Sequence, residues 1–237
     1  MQRSPVIPFA TFAIAVILAA LTPATHRLLR AAGDATGCTV TATISGKASA
    51  DTVTEGKDSI RDKGKKSVRK AMDQGFKKLK ADASGDDVDK SLNDTVDEVF
   101  ANNYDAVTVS LSSAGIDGIA KAENVWTVTG TFDMSIVIVL PKNADETLTN
   151  HENGHKLIAE KTVEYAKKKI KEEVEKCACD ETAITAAFDK GVAAALAVQD
   201  AANKDYDAKT NHGKQGGAAG QIPQAAASFA AAAAAAP

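Results

Sequence analysis

The chain has 237 residues, with 28 Lys+Arg against 31 Asp+Glu and a formal charge of −3, which excludes a nucleic-acid-binding polycation and an acidic solvating tail alike. Hydrophobic residues make up 44% and charged residues 25%, a globular composition, but aromatics are only 5%, so the core has to be built from Ala, Val, Ile and Leu. With both ends set aside, roughly 180 residues remain, enough for one domain with a sizeable core and too few for two catalytic domains.

No charged residue occurs between Ser4 and Thr25, and residues 9–21 (FATFAIAVILAAL) are almost wholly apolar, with Arg3 before them and small residues and a proline after. That is the layout of a signal peptide, and Ala24 or Ala32 would suit a cut. The same stretch has the length of an uncleaved anchor, and Arg27 and Arg30 follow it directly. Residues 1–32 are therefore expected to be a signal peptide or N-terminal anchor. The domain behind them would be secreted or periplasmic, or held outside the cytoplasm at a membrane if the segment stays uncleaved. The three cysteines, Cys38, Cys177 and Cys179, fit an oxidising compartment, with Cys38 bridged to one of the other two. Two thiolates without a nearby histidine make a poor zinc framework.

Residues 39–45 (TVTATIS) read as a strand, and residues 58–80 as an amphipathic helix with Ile60, Val68, Met72, Phe76 and Leu79 on its apolar side. A second short helix is expected over 86–100. Three runs rich in Val, Ile and Thr follow, over 106–112, 125–132 and 135–140, separated by Gly, Asn and Asp turns, and they suggest a small antiparallel sheet. Helical patterning then covers about 146–176 and about 181–204, and the short CACD link between them implies an antiparallel helical hairpin. The expected class is α+β, with helices packed on one sheet, over residues 36–215. Residues 216–237, rich in Ala, Gly and Gln, show no amphipathic pattern and are expected to form a disordered tail.

The first helix of that hairpin opens with His151-Glu152-Asn153-Gly154-His155, an H-E-x-x-H pattern. On a helix, histidines at i and i+4 share one face and can offer two neutral nitrogens to a tetrahedral Zn²⁺. Glu152 would stand beside the metal as general base for hydrolysis of an amide by a zinc-activated water.

A catalytic zinc needs a third protein ligand. Counting some 24 residues from His155 to the turn, and the same distance back, arrives near Asn203, so the polar segment 205–213 returns to the two histidines. His212 is the favoured third ligand and Asp207 its rival, with Asp207 orienting an imidazole if His212 binds. Ile158 and Lys161 stand where a metzincin would need Gly and His, which excludes that pattern, and Glu181 lies at the far end of the hairpin. Tyr206 is a candidate catalytic donor to an oxyanion, or a packed aromatic.

HENGHKLIAE, preceded by a valine-rich strand ending in Leu140-Pro141 and followed by YDAKTNHG, resembles the bacterial family of predicted secreted zinc-dependent proteases, number nine hundred and twenty-two among the domains of unknown function. The resemblance spans about Asp97 to Gly217. It implies an exported metallopeptidase-like domain with His151, Glu152 and His155 on the zinc helix and Asp207, Thr210 and His212 in the second motif. The function expected is a zinc-dependent metallopeptidase acting on a peptide or protein substrate, cell-envelope peptides included, with no nucleic-acid partner. The alternative is a non-catalytic zinc-binding surface protein on the same scaffold.

Overall fold

The computed structural model describes residues 13–19, 38–81 and 85–236. Apart from 13–19, the expected signal peptide or anchor lies outside these residues. Residues 13–19 themselves run as strand β1, Ala13–Ala19.

Four further strands follow: β2, Thr39–Ser45; β3, Ala48–Glu55; β4, Val107–Ala122; and β5, Val125–Pro141. The helices are α1, Lys65–Lys78; α2, Asp86–Ala101; α3, Glu146–Glu175; α4, Glu181–Thr210; and α5, Gly217–Ala235. The mixture of helix and strand is as expected, but the sheet is not antiparallel. Only the long β4–β5 hairpin is antiparallel, whereas β1 runs parallel to β4, and β2 and β3 both run parallel to β5. Alternating Val, Ile and Thr mark a strand without marking the direction of its neighbour. β2 and β3 lie end to end along one edge of β5, and a side chain at Gly46 between them would run into the Phe132 carbonyl. The two strands expected over 125–140 are one continuous strand.

Helices pack on the sheet as expected, and they cover both of its faces. On β5, Phe132, Met134, Ile136 and Ile138 join Val163, Ala166, Ile170, Ile184 and Leu196 of α3 and α4 in one core. The intervening Val137 and Val139 join Val68, Met72, Phe76, Leu92 and Val96 of α1 and α2 in another. That two-sided burial follows from the period-two alternation of a central strand. β4 breaks the pattern. Its Val107, Val109 and Leu111 are buried with α1 and α2, while Thr108, Ser110 and Ser112 are buried polar residues.

Asp145 caps α3 by accepting from the Leu148 amide, and Asp180 caps α4 by accepting from the Ala183 amide. The two 30-residue helices form the expected hairpin, and a side chain at Gly191 would collide with the Ile170 backbone, so they pack closely there. At their turn Cys179 is bonded to Cys38, while Cys177 is a free thiol.

The alanine-rich segment is a helix, α5, not a disordered tail. Its buried residues Gln221, Ala225, Ser228 and Phe229 fall at i, i+4, i+7 and i+8. Alanine on every side conceals that stripe from a hydrophobicity pattern. Ala225 and Phe229 pack with Ile158, Val198, Ala202 and Tyr206, so α5 lies against the outer side of the hairpin.

Candidate metal centre

His151, Glu152 and His155 all lie on α3 and are buried to within 1% exposure. They share the helix stripe that continues as Ile158, Ala159 and Thr162, so the spacing that aligns the imidazoles also turns them inward. The two Nε2 atoms are 3.3 Å apart. From α4, Asp207 Oδ1 comes within 3.3 Å of His151 Nε2 and 3.1 Å of His155 Nε2.

The protons on the far sides of the rings decide what these three atoms are. His155 Nδ1 lies 2.9 Å from Asn203 Oδ1, and His151 Nδ1 lies 3.3 Å from Gln221 Oε1. An amide oxygen facing each Nδ1 places a proton there, so that in the neutral ring Nε2 carries the lone pair. Two ring nitrogens and a carboxylate oxygen then converge in a buried space, with Asp207 Oδ1 facing both Nε2 atoms. Such a group calls for a cation. A tetrahedral ion with bonds of about 2.0–2.1 Å has ligand atoms about 3.3–3.4 Å apart. The observed separations of 3.1–3.3 Å fit that edge. His151, His155 and Asp207 can therefore hold a metal ion.

His212, the favoured third ligand, is not in this group. Its Nδ1 is 3.6 Å from Asp207 Oδ1, and its ring is partly exposed and stacks 6.3 Å from Tyr104. Two features account for this. α4 continues through Thr210, so Asp207 is a helical residue one turn beyond Asn203 and faces inward with it. The chain then turns through Asn211, His212 and Gly213, all at positive φ, and the His212 amide donates to the Asp207 carbonyl. His212 is thereby laid beside Asp207 and outside the cluster of three. It lines a cavity of about 350 Å³ together with Asp105, Asp145, Thr147, Leu148, Gly213 and Lys214.

Tyr206 is not placed to meet an oxyanion. Its single hydroxyl proton is shared between the His151 carbonyl and Gln221 Oε1, each at 3.1 Å, and the residue is fully buried. Its ring stacks on His151 at 4.9 Å and meets His155 edge-on at 5.0 Å. It is the packed aromatic behind the two imidazoles, and burial pushes its phenol further up. Thr210 donates to the Tyr206 carbonyl at 2.8 Å.

Glu152 stands next to the triad. Its Oε2 accepts from Thr108 Oγ1 at 2.6 Å, while its buried Oε1 has no partner. Burial raises its pKa, against the lowering pull of His151 and His155. Thr108, Asn203 and Gln221 were not singled out from the sequence. Asn203 could have been found as the residue one helical turn before Asp207, whereas nothing local distinguishes Gln221.

The family comparison bears on this site. Residues 82–213 match the family described as "Bacterial protein of unknown function (DUF922)", more than half of the chain. The chain belongs to DUF922. The matched DUF922 segment contains Thr108, the two histidines, Glu152, Asn203, Asp207 and His212, and it ends before α5. No curated protein and no solved structure matches.

The electrostatics give a pH prediction. Burial pulls the His155 pKa down, but the Asp207 carboxylate, with Glu152 and Asn203, outweighs it and pushes it up to about 9. Without metal, a proton on His155 is the cation. A pKa raised above the ordinary value of about 6.5 contributes stability that is complete below that pH and lost as pH climbs through about 9. The metal-free protein should thus have a lower melting temperature at pH 9 than at pH 6.5. Zinc affinity should rise over the same interval with release of about one proton, as titration calorimetry in two buffers would show. A melting temperature flat between these pH values would contradict the protonated apo site.

Proposed function

We propose that this protein is an extracytoplasmic zinc-dependent peptidase, with His151, His155 and Asp207 as the zinc ligands and Glu152 as the general base. The observation that carries the proposal is the free Oε1 of Glu152, buried beside three convergent ligand atoms whose number leaves one coordination position open. Bound zinc would act as a Lewis acid, lowering the pKa of water and polarising a carbonyl.

The chain's own groups do the rest. Thr108 fixes Oε2 of Glu152, so Oε1 is the oxygen that takes the proton from the attacking water. Its raised pKa suits a carboxyl that accepts a proton and then passes it to the leaving amine. Tyr206 and Asn203 hold the imidazole planes, and the cavity beside His212 is the side from which a peptide would approach. An exported location is supported by the Cys38–Cys179 disulfide.

Glu152→Gln should leave zinc stoichiometry near one per chain and lower hydrolysis of a peptide library by at least about a thousandfold, within the range by which catalytic groups act. Hydrolysis at the wild-type rate would remove Glu152 from the mechanism. A second reading, a zinc-binding surface protein without catalysis, draws on the near-complete enclosure of His151, Glu152 and His155. It predicts zinc binding with no cleavage of any peptide by wild type or variant.

A further inference from the structure

α5 lies wholly beyond the residues that match the family, yet one of its side chains reaches the back of the metal centre. Gln221 is fully buried, and its Oε1 and Nε2 each have a partner. Nε2 donates to the Gln215 carbonyl at 2.8 Å. That contact settles the orientation of the amide, because a carbonyl cannot accept from Oε1. Oε1 therefore faces His151 Nδ1 at 3.3 Å and Tyr206 Oη at 3.1 Å, and can only accept from both. The proton of His151 is thus confined to Nδ1, and its Nε2 lone pair is directed at Asp207 and His155.

The seat of the amide is built from both sides. Asn150, the residue before His151, donates through Nδ2 to the Ala218 carbonyl at 3.2 Å, which ties the first turn of α5 to α3. Gly213 lies against the ring of His151, where a side chain would press on it. The ring has Tyr206 stacked on one face at 4.9 Å, and its Nδ1 faces Gln221 Oε1 at 3.3 Å as the nearer acceptor, with Thr210 Oγ1 farther off at 3.5 Å.

We propose that Gln221 is a positioning residue of the metal centre, and that α5 belongs to the site as the element that sets the tautomer of His151. The proposal rests on His151, His155 and Asp207 being metal ligands. Gln221 is to His151 what Asn203 is to His155, an amide oxygen behind each ligating ring, and only Asn203 lies within the family match. Outer partners of ligating histidines typically account for about 10–100-fold in metal affinity.

The test compares the full chain with Gln221→Met, Gln221→Glu and Phe229→Leu. Zinc affinity is read by chelator competition, and the His151 tautomer by nitrogen-15 NMR of the metal-free protein. Gln221→Met, similar in length but without the acceptor, should lower zinc affinity about 10–100-fold and give His151 a mixture of tautomers. Gln221→Glu, which when protonated on the oxygen facing the Gln215 carbonyl keeps an acceptor toward His151, should recover most of the affinity. Phe229→Leu, which loosens α5 without touching His151, should lower the melting temperature and leave affinity and tautomer near wild type. Wild-type affinity in Gln221→Met, no recovery in Gln221→Glu, or an equal loss in Phe229→Leu would each overturn the proposal. A wild-type protein that binds no zinc but changes its His151 tautomer in Gln221→Met would instead overturn the metal reading and leave the role of Gln221 standing.

Discussion

Asp207→Ala should lower zinc affinity by more than about a hundredfold, beyond the range expected for an outer partner, while His212→Ala stays within about tenfold of wild type. The difference comes from position. Asp207 Oδ1 is within 3.3 Å of both Nε2 atoms, whereas His212 Nδ1 stands 3.6 Å from that same oxygen and lies outside the cluster of three. Asp207 is also the group that compensates positive charge in the buried site. Burial raises its pKa, but His155, His151 and His212 together hold it far below the usual carboxylate range. Its loss should therefore also return the His155 pKa toward or below its ordinary value, because the largest raising influence on that ring would be gone. Chelator competition on the two variants separates the assignments. Equal losses would make His212 a ligand in its own right, and a loss confined to His212→Ala would exclude Asp207.

The second large effect concerns Gly154, inside the ligand helix. A side chain there would run into the hydroxyl and ring of Tyr206, which lies across the backbone of α3 at that point. Glycine in a helix interior ordinarily costs stability, so alanine at an open site would be stabilising. Here the sign should reverse. Gly154→Ala must push out a fully buried aromatic that stacks on His151 and bonds to its carbonyl. Overpacking of this kind costs about 1–3 kcal/mol. Zinc affinity should fall with stability, since the displaced ring is the support of both imidazoles. Thermal melting of the variant, with and without zinc, checks this. A rise in melting temperature would show that Tyr206 can move aside without cost.

The ligand helix and its return partner were legible because both depend on simple counts. Two histidines four apart share a face of any helix, and equal distances along a tight hairpin bring residues near 203 back to His155. The choice between Asp207 and His212 was not legible, because it turns on where α4 ends. A helix stopping near 204 would have put both residues on a loop, whereas continuation to Thr210 faces Asp207 inward and leaves His212 on the left-handed turn. Strand direction was hidden for a similar reason. Val107, Val109 and Leu111 mark an alternating strand, but which edge a later or earlier strand takes depends on how the chain crosses over. Gln221 was concealed by composition, since a lone glutamine among alanines carries no periodic signal until the helix stripe through Ala225 and Phe229 is known.

The order of the site's residues along the chain has a consequence for biosynthesis. The helix with both imidazoles is made before Asn203 and Asp207, and the amide that fixes His151 comes later still. A nascent chain that has presented His151 and His155 has two ring nitrogens and nothing to organise them. The full set of supports around the three convergent atoms is thus complete only once α5 has emerged and docked, and before that His151 lacks the amide oxygen behind its ring.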